Sequence, residues 1–195
     1  MNENLRKMRA ALANYHKTAL AAEKQIKQIS EEMKPDLARV RIEEIRANVA
    51  AAKLTAIDQI SAAAKKGKAD AEEWGTLKPS DLTDDIKILQ SGIRLSQKEY
   101  DILCKKYQNN GSMSRVLGEY ADQRNRENKN GIDGLLLNIH LATVEKKAEP
   151  WNKLKLSAEN IIENIDGYGF GRGADNPIVS QSVEQFGCTM GELYD

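Results

Sequence analysis

From Leu5 to Met33 the chain places an apolar residue every three or four positions, with no glycine or proline to interrupt it. The stripe is Leu5, Met8, Leu12, Tyr15, Ala19, Ala22, Ile26, Ile29 and Met33. Steps that alternate three and four put every member on one face of a helix, and four such repeats make a heptad seam. Arg9, Lys17, Glu23, Lys24 and Lys27 lie off the stripe. A single helix cannot bury a seam of this length by itself, so the stripe is an interaction surface that demands a partner. The small Ala19 and Ala22 let a second helix approach closely.

Pro35 ends the run. Proline lacks an amide hydrogen and fits the first turn of a helix but not its interior, so a second helix starts near Pro35 and Asp36. Its apolar positions are Leu37, Val40, Ile45, Val49, Ala52, Leu54, Ile57 and Ile60, and it reaches about Ala64, with Gly67 and Gly75 marking the exit. A reversal at Pro35 gives a helical hairpin. A kink gives a coiled-coil rod that, at 1.5 Å per residue, spans roughly 90 Å and needs other copies of the chain. The sequence allows either.

Local signals then change to short capped helices. Thr83 with Asp84 and Asp85 suits a helix amino terminus. Ser96 followed three residues later by Glu99 is a capping box. Asn109-Asn110-Gly111 breaks the chain and Ser112 caps the next helix. The apolar run Ile132–Leu141 reads as a helix, and Pro150-Trp151 opens a last one through Leu154, Ile161 and Ile165. Four or five such helices suffice for a small bundle. Gly167, Gly169, Gly171 and Gly173 then forbid an inexpensive helix. The fold expected is therefore all-α: a long N-terminal helical hairpin or coiled-coil arm, a small helical bundle and a Gly-rich extended C-terminal tail. The divisions are 1–67 for the helix pair, 68–82 for a linker, 83–166 for the bundle and 167–195 for an acidic tail. Within the tail, Tyr168, Phe170 and Phe186 are the expected contact residues for a partner.

Composition agrees with slim helices. Only 5% of residues are aromatic, while 30% are charged. Lysine plus arginine equals aspartate plus glutamate at 29 each. Residues 1–67 hold 13 basic and 8 acidic side chains, a net of +5, and residues 159–195 hold 1 and 7, a net of −6. The mixed signs along the basic arm argue against nucleic acid. The first residues contain no apolar h-region, and no stretch approaches the roughly 18 apolar residues of a membrane span. Two cysteines far apart, Cys104 and Cys188, and two histidines, His16 and His140, form neither a disulfide framework nor a zinc pattern. His140 sits in the apolar run and reads as a core residue. Lys105 and Lys106 beside Cys104 are placed to lower its pKa, but no histidine lies near to act as a base. The pairs Glu43-Glu44, Glu72-Glu73 and Asp84-Asp85 are adjacent on helices, and adjacent positions do not face each other. Neither a catalytic set, a cofactor site nor a metal site is expected, so the chain reads as a non-enzymatic protein.

Helices 97–107 and 113–126 around the Asn-Asn-Gly-Ser break also match a helix-turn-helix, with Arg115, Arg124 and Arg126 toward a duplex. That alternative makes the chain a DNA-binding regulator. Asp101, Glu119 and Asp122, interspersed among those arginines, weigh against it.

The stretch Leu82-Thr83-Asp84-Asp85-Ile86-Lys87-Ile88-Leu89-Gln90-Ser91-Gly92-Ile93-Arg94-Leu95, continued by Tyr107-Gln108-Asn109-Asn110-Gly111-Ser112-Met113 to Leu117 and Tyr120, resembles small uncharacterised proteins encoded among the head-assembly genes of tailed phages and prophages of Gram-positive bacteria. The resemblance implies a virion structural or capsid-assembly role without enzymatic activity, in the virion or in the host cytoplasm during assembly. The partners it implies are further copies of the chain and capsid or connector subunits.

Overall fold

The computed structural model describes residues 2–128, 134–167 and 173–188. Over these residues the protein is all-α, with seven α-helices and no strand. They are α1 (Glu3–Glu32), α2 (Pro35–Trp74), α3 (Ile86–Gln90), α4 (Gln97–Lys106), α5 (Gly111–Glu127), α6 (Val144–Asp166) and α7 (Pro177–Gln185). The chain forms two compact units, Met1–Gly67 with Pro150–Asp195, and Lys68–Glu149. The division falls inside α2, after Gly67, and inside α6, before Pro150. Residues 150–166 thus belong with the helix pair and not with residues 83–149, where the sequence divisions had placed them.

In the first unit the chain reverses at Pro35. Asn2 caps α1 by accepting a bond from the Asn4 amide at 2.8 Å. Met33 is extended, and Pro35 starts α2 where its missing amide costs nothing. The two helices then run antiparallel: Ile29 and Met33 line one groove with Arg41 and Ile45, and Asn4, Lys7 and Ala11 line another with Gln59, Ala63 and Lys66. The seam of α1 is therefore used within the chain. Leu5, Met8, Leu12, Tyr15, Ala19 and Ala22 are buried, Ile26 and Ile29 are half-buried, and Met33 at the hairpin tip is exposed. The opposing core residues are Ala56, Ile60, Ala63 and Ala64 of α2, and Trp151, Leu154, Ala158, Ile161, Ile162 and Ile165 of α6.

Gly67 is not a helix exit. It lies in the interior of α2, buried under Trp151, and α2 runs on through the first seven of the residues read as a linker, to Trp74. Nor is Pro150 a helix start. The Thr143 hydroxyl accepts from the Lys146 amide at 3.2 Å, and α6 begins at Val144 with Pro150 inside it.

The second unit is built on Leu89, Leu95, Tyr100, Cys104, Tyr107, Met113, Leu117, Ala121, Leu136 and Leu141. The Ser96–Glu99 capping box is present, with the Ser96 amide donating to Glu99 Oε2 at 2.8 Å and the Glu99 amide to Ser96 Oγ at 3.4 Å. Two other caps differ from expectation. Asn110, not Ser112, caps α5 by accepting from the Met113 amide at 2.9 Å. The Ser112 hydroxyl is taken by the Lys78 backbone, accepting from its amide at 2.8 Å. Thr83 caps nothing: its hydroxyl lies 2.7 Å from that of Tyr107, and α3 begins only at Ile86.

Residues 134–143 are not helical, although the apolar run suggested a helix. Side chains hold them in an irregular path. Asn125 accepts from the Leu136 amide at 2.8 Å and donates to its carbonyl at 2.9 Å. Gln97 does the same for Leu137, at 2.7 and 3.0 Å. The Lys146 ammonium donates to the carbonyls of Asn138, Ile139 and Leu141 at 3.0, 3.2 and 2.9 Å. Each bond satisfies a backbone group that a helix would have satisfied internally.

Candidate interaction surfaces

The seam of α1 brings three polar side chains together where it meets α2 and α6. The Tyr15 hydroxyl donates to Asp166, and Lys53 makes an ion pair with the same carboxylate. Burial first, then the Asp166 bond, pushes the Tyr15 phenol above its ordinary value. A carboxylate shared between an ammonium and a phenol ties α1, α2 and α6 together.

The last described segment, 173–188, folds back on α1. The Glu23 carboxylate accepts from the amides of Ala174 and Asp175 at 3.0 and 3.2 Å. His16 Nε2 bonds the Ala174 carbonyl at 2.8 Å, and Arg9 Nε donates to that of Phe186 at 2.7 Å. Asn176 caps α7, with Pro177 at its first turn. Ala174, Val179 and Phe186 are buried in the first unit's core. Phe186 is thus an internal contact and not one free for a partner, and this part of the acidic tail is helical, not extended. Sequence reading missed α7 because nine residues, Pro177–Gln185, are too few for a clear period. The Asn176-Pro177 cap was its only signal. Tyr168 and Phe170 lie outside the described residues.

The remaining exposed aliphatic residues of α2 sit opposite its core face. Ala38, Ala56 and Ile60 are buried, whereas Leu37, Val40 and Leu54 are 62%, 57% and 65% exposed. The sequence reading put Leu37, Val40 and Leu54 in one apolar set with Ile45, Val49 and Ile60. The structure separates them onto two faces.

In the second unit the expected DNA-facing arginines differ in surroundings. Arg115 pairs with Glu119 at 3.2 Å, and Arg126 donates to the Asp122 carbonyl at 3.2 Å. The Nε and Nη1 atoms of Arg124 are buried. Cys104 is buried, and burial pushes its thiol up despite the adjacent lysines. His140 is exposed and not in the core. Asp85 is held below the usual carboxylate range by its bonds to Lys106 at 2.7 Å and to Tyr107 at 2.8 Å. Leu135, Leu137 and Ile139 of the non-helical segment are exposed.

Among the described residues no cluster of three or more His, Cys, Asp or Glu could hold a metal ion. Among the same residues no helix is long and apolar enough to cross a membrane. No protein family, curated protein or solved structure matches the chain.

Proposed function

We propose that the chain is a non-enzymatic structural or capsid-assembly protein of a tailed bacteriophage, working by helix-mediated self-association and by docking on other phage structural subunits. The observation that carries the reading is the exposed aliphatic face of α2, with Leu37, Val40 and Leu54 more than half bare on a helix whose opposite face is committed to the core. Aliphatic side chains left in water along one helix face are the material of helix–helix recognition. The resemblance of residues 82–120 to proteins of head-assembly gene clusters supplies the biological setting.

The test is to measure the mass of the purified protein by light scattering across a concentration series, and to measure its binding to purified portal, connector and major capsid subunits. Self-association, together with saturable binding to one of these, is expected. A monomer at every concentration that binds none of them overturns the reading. Salt-sensitive binding to duplex DNA, lost on replacing Arg115 and Arg124, overturns it in favour of a regulator.

A further inference from the structure

The 173–188 segment is fastened to a helix far in sequence from the one it leaves. It follows α6, yet α7 packs on α1. The bonds from Glu23, His16 and Arg9 of α1 all reach its main chain, at Ala174, Asp175 and Phe186. Ala174, Val179 and Phe186 add the buried apolar contacts. A bed that grips backbone groups and three apolar side chains receives the segment equally well from its own chain or from a second copy.

The connection to α6 bears on which copy supplies it. The amides of Gly167 and Gly173 both donate to the Asn164 carbonyl, at 3.3 and 2.9 Å. The chain therefore leaves α6 and comes back, over residues 168–172, to a single oxygen atom. Gly173 sits at φ +104°, where other residues are rarely found. None of the bonds to α1 depends on that reversal. A short hinge forced to turn back tightly is the setting in which a docked element passes to a neighbour. Nor does the segment have a stable life undocked. The nine residues of α7 fall below the roughly 12–15 that an isolated helix needs in water. Once released, it must dock again.

We infer that 173–188 is an exchangeable arm, and that two copies of the chain swap it, each arm lying on the other's α1. Exchange of an identical element is a low-cost route to a dimer, because every contact given up is formed again in the partner. The inference rests on the self-association reading above and adds to it the surface and the segment that fills it. A tether of a few residues presents the arm to its own α1 at an effective concentration of about a millimolar. Exchange in the wild type therefore sets in as the protein approaches that concentration, where copies are crowded together.

Stiffening the connection tests this. Gly169→Pro, Phe170→Pro and Gly171→Pro, combined in one chain, put three prolines in a row, and a proline run extends by about 3.1 Å per residue. That works against the return to Asn164 and leaves the arm and its bed intact. Both chains are checked for helical circular dichroism, and their masses are followed by light scattering up to about 1 mM, the effective concentration of the tether. The proline chain should form a dimer at a concentration at least about tenfold below that of the wild type, as the tether's advantage is lost. Adding Phe186→Ala to either chain should remove the dimer. A helical proline chain that associates no more readily than the wild type overturns the exchange. If the wild type self-associates and Phe186→Ala leaves its association intact, the arm is wrong while self-association stands; this comparison decides the matter even if the proline chain does not fold. Wild type and helical proline chain both monomeric throughout overturn both.

Discussion

The indole of Trp151 lies so close to Gly67 that a methyl group on that glycine would sit 2.3 Å from its Cδ2 and Cε2 atoms. Two effects of Gly67→Ala oppose each other. Alanine is worth about 1 kcal/mol more than glycine inside a helix. Overpacking a fixed ring costs about 1–3 kcal/mol, and 2.3 Å is far inside contact distance. The second should win, lowering the urea midpoint with no change in m. A stabilised Gly67→Ala would show that the Trp151 ring moves freely.

Phe186 gives a measure of how firmly the 173–188 segment is docked. It is buried among α1 and α6 residues, and Phe→Ala in such a setting costs about 3–5 kcal/mol. The Glu23, His16 and Arg9 bonds to the same segment remain in the variant. Phe186→Ala should therefore lower the melting temperature and open the segment to limited proteolysis. Unchanged cleavage and unchanged melting would mean the segment is held by its polar bonds alone.

Alkaline pH should weaken the fold through Tyr15 and Tyr100. Burial holds both phenols protonated above the ordinary value of 10.0. A folded-state pKa above the unfolded one stabilises fully below pH 10 and loses that contribution as pH rises beyond it. Urea midpoints should be flat through neutral pH and fall above pH 10. Tyr15→Phe should be less stable at neutral pH by about 1 kcal/mol, for one lost hydrogen bond. It should also fall less steeply in alkali. An identical alkaline slope in Tyr15→Phe would remove Tyr15 from this account.

Asn125 should control the second unit's non-helical segment. Both its bonds go to Leu136, at 2.8 and 2.9 Å. Asn125→Ala leaves an amide and a carbonyl unpaired, at about 1–3 kcal/mol if they stay buried. Hydrogen exchange at the Leu136 amide should quicken well beyond that of the α5 amides. Protection equal to wild type would mean that Asn125 is not what holds the segment.

How far the sequence disclosed this fold depends on whether a signal is local. The α1 stripe and the Ser96–Glu99 box are decided within a few residues, and both appear where the chain announces them. The reversal at Pro35 is decided by Ala56, Ile60 and Ala63, distant in sequence, so local reading left hairpin and rod equal. Asn110 and Ser112 are both good caps, and Lys78, some thirty residues earlier, claims the serine. Gly67 breaks a helix by propensity but continues one because Trp151 needs the space. The α1 stripe was expected to demand a partner, left open between the same chain and other copies, and its first six members are consumed inside the chain. The exposed face of α2 was hidden because its residues were read together with the core-facing ones.

The amide clamps on residues 136 and 137 also bear on how the protein stays in solution. Gly134-Leu135-Leu136-Leu137-Asn138-Ile139 is non-helical, apolar and uncharged, the composition from which cross-β fibres grow. Growth needs free amides and carbonyls along an edge. Here Asn125 occupies the amide and carbonyl of Leu136, while Gln97 occupies those of Leu137. At those two positions an incoming strand finds aliphatic side chains but no free backbone pair to join. Three bare aliphatic residues can stay at the surface without seeding fibrils, for as long as two neutral side chains stand in for the missing neighbouring strands.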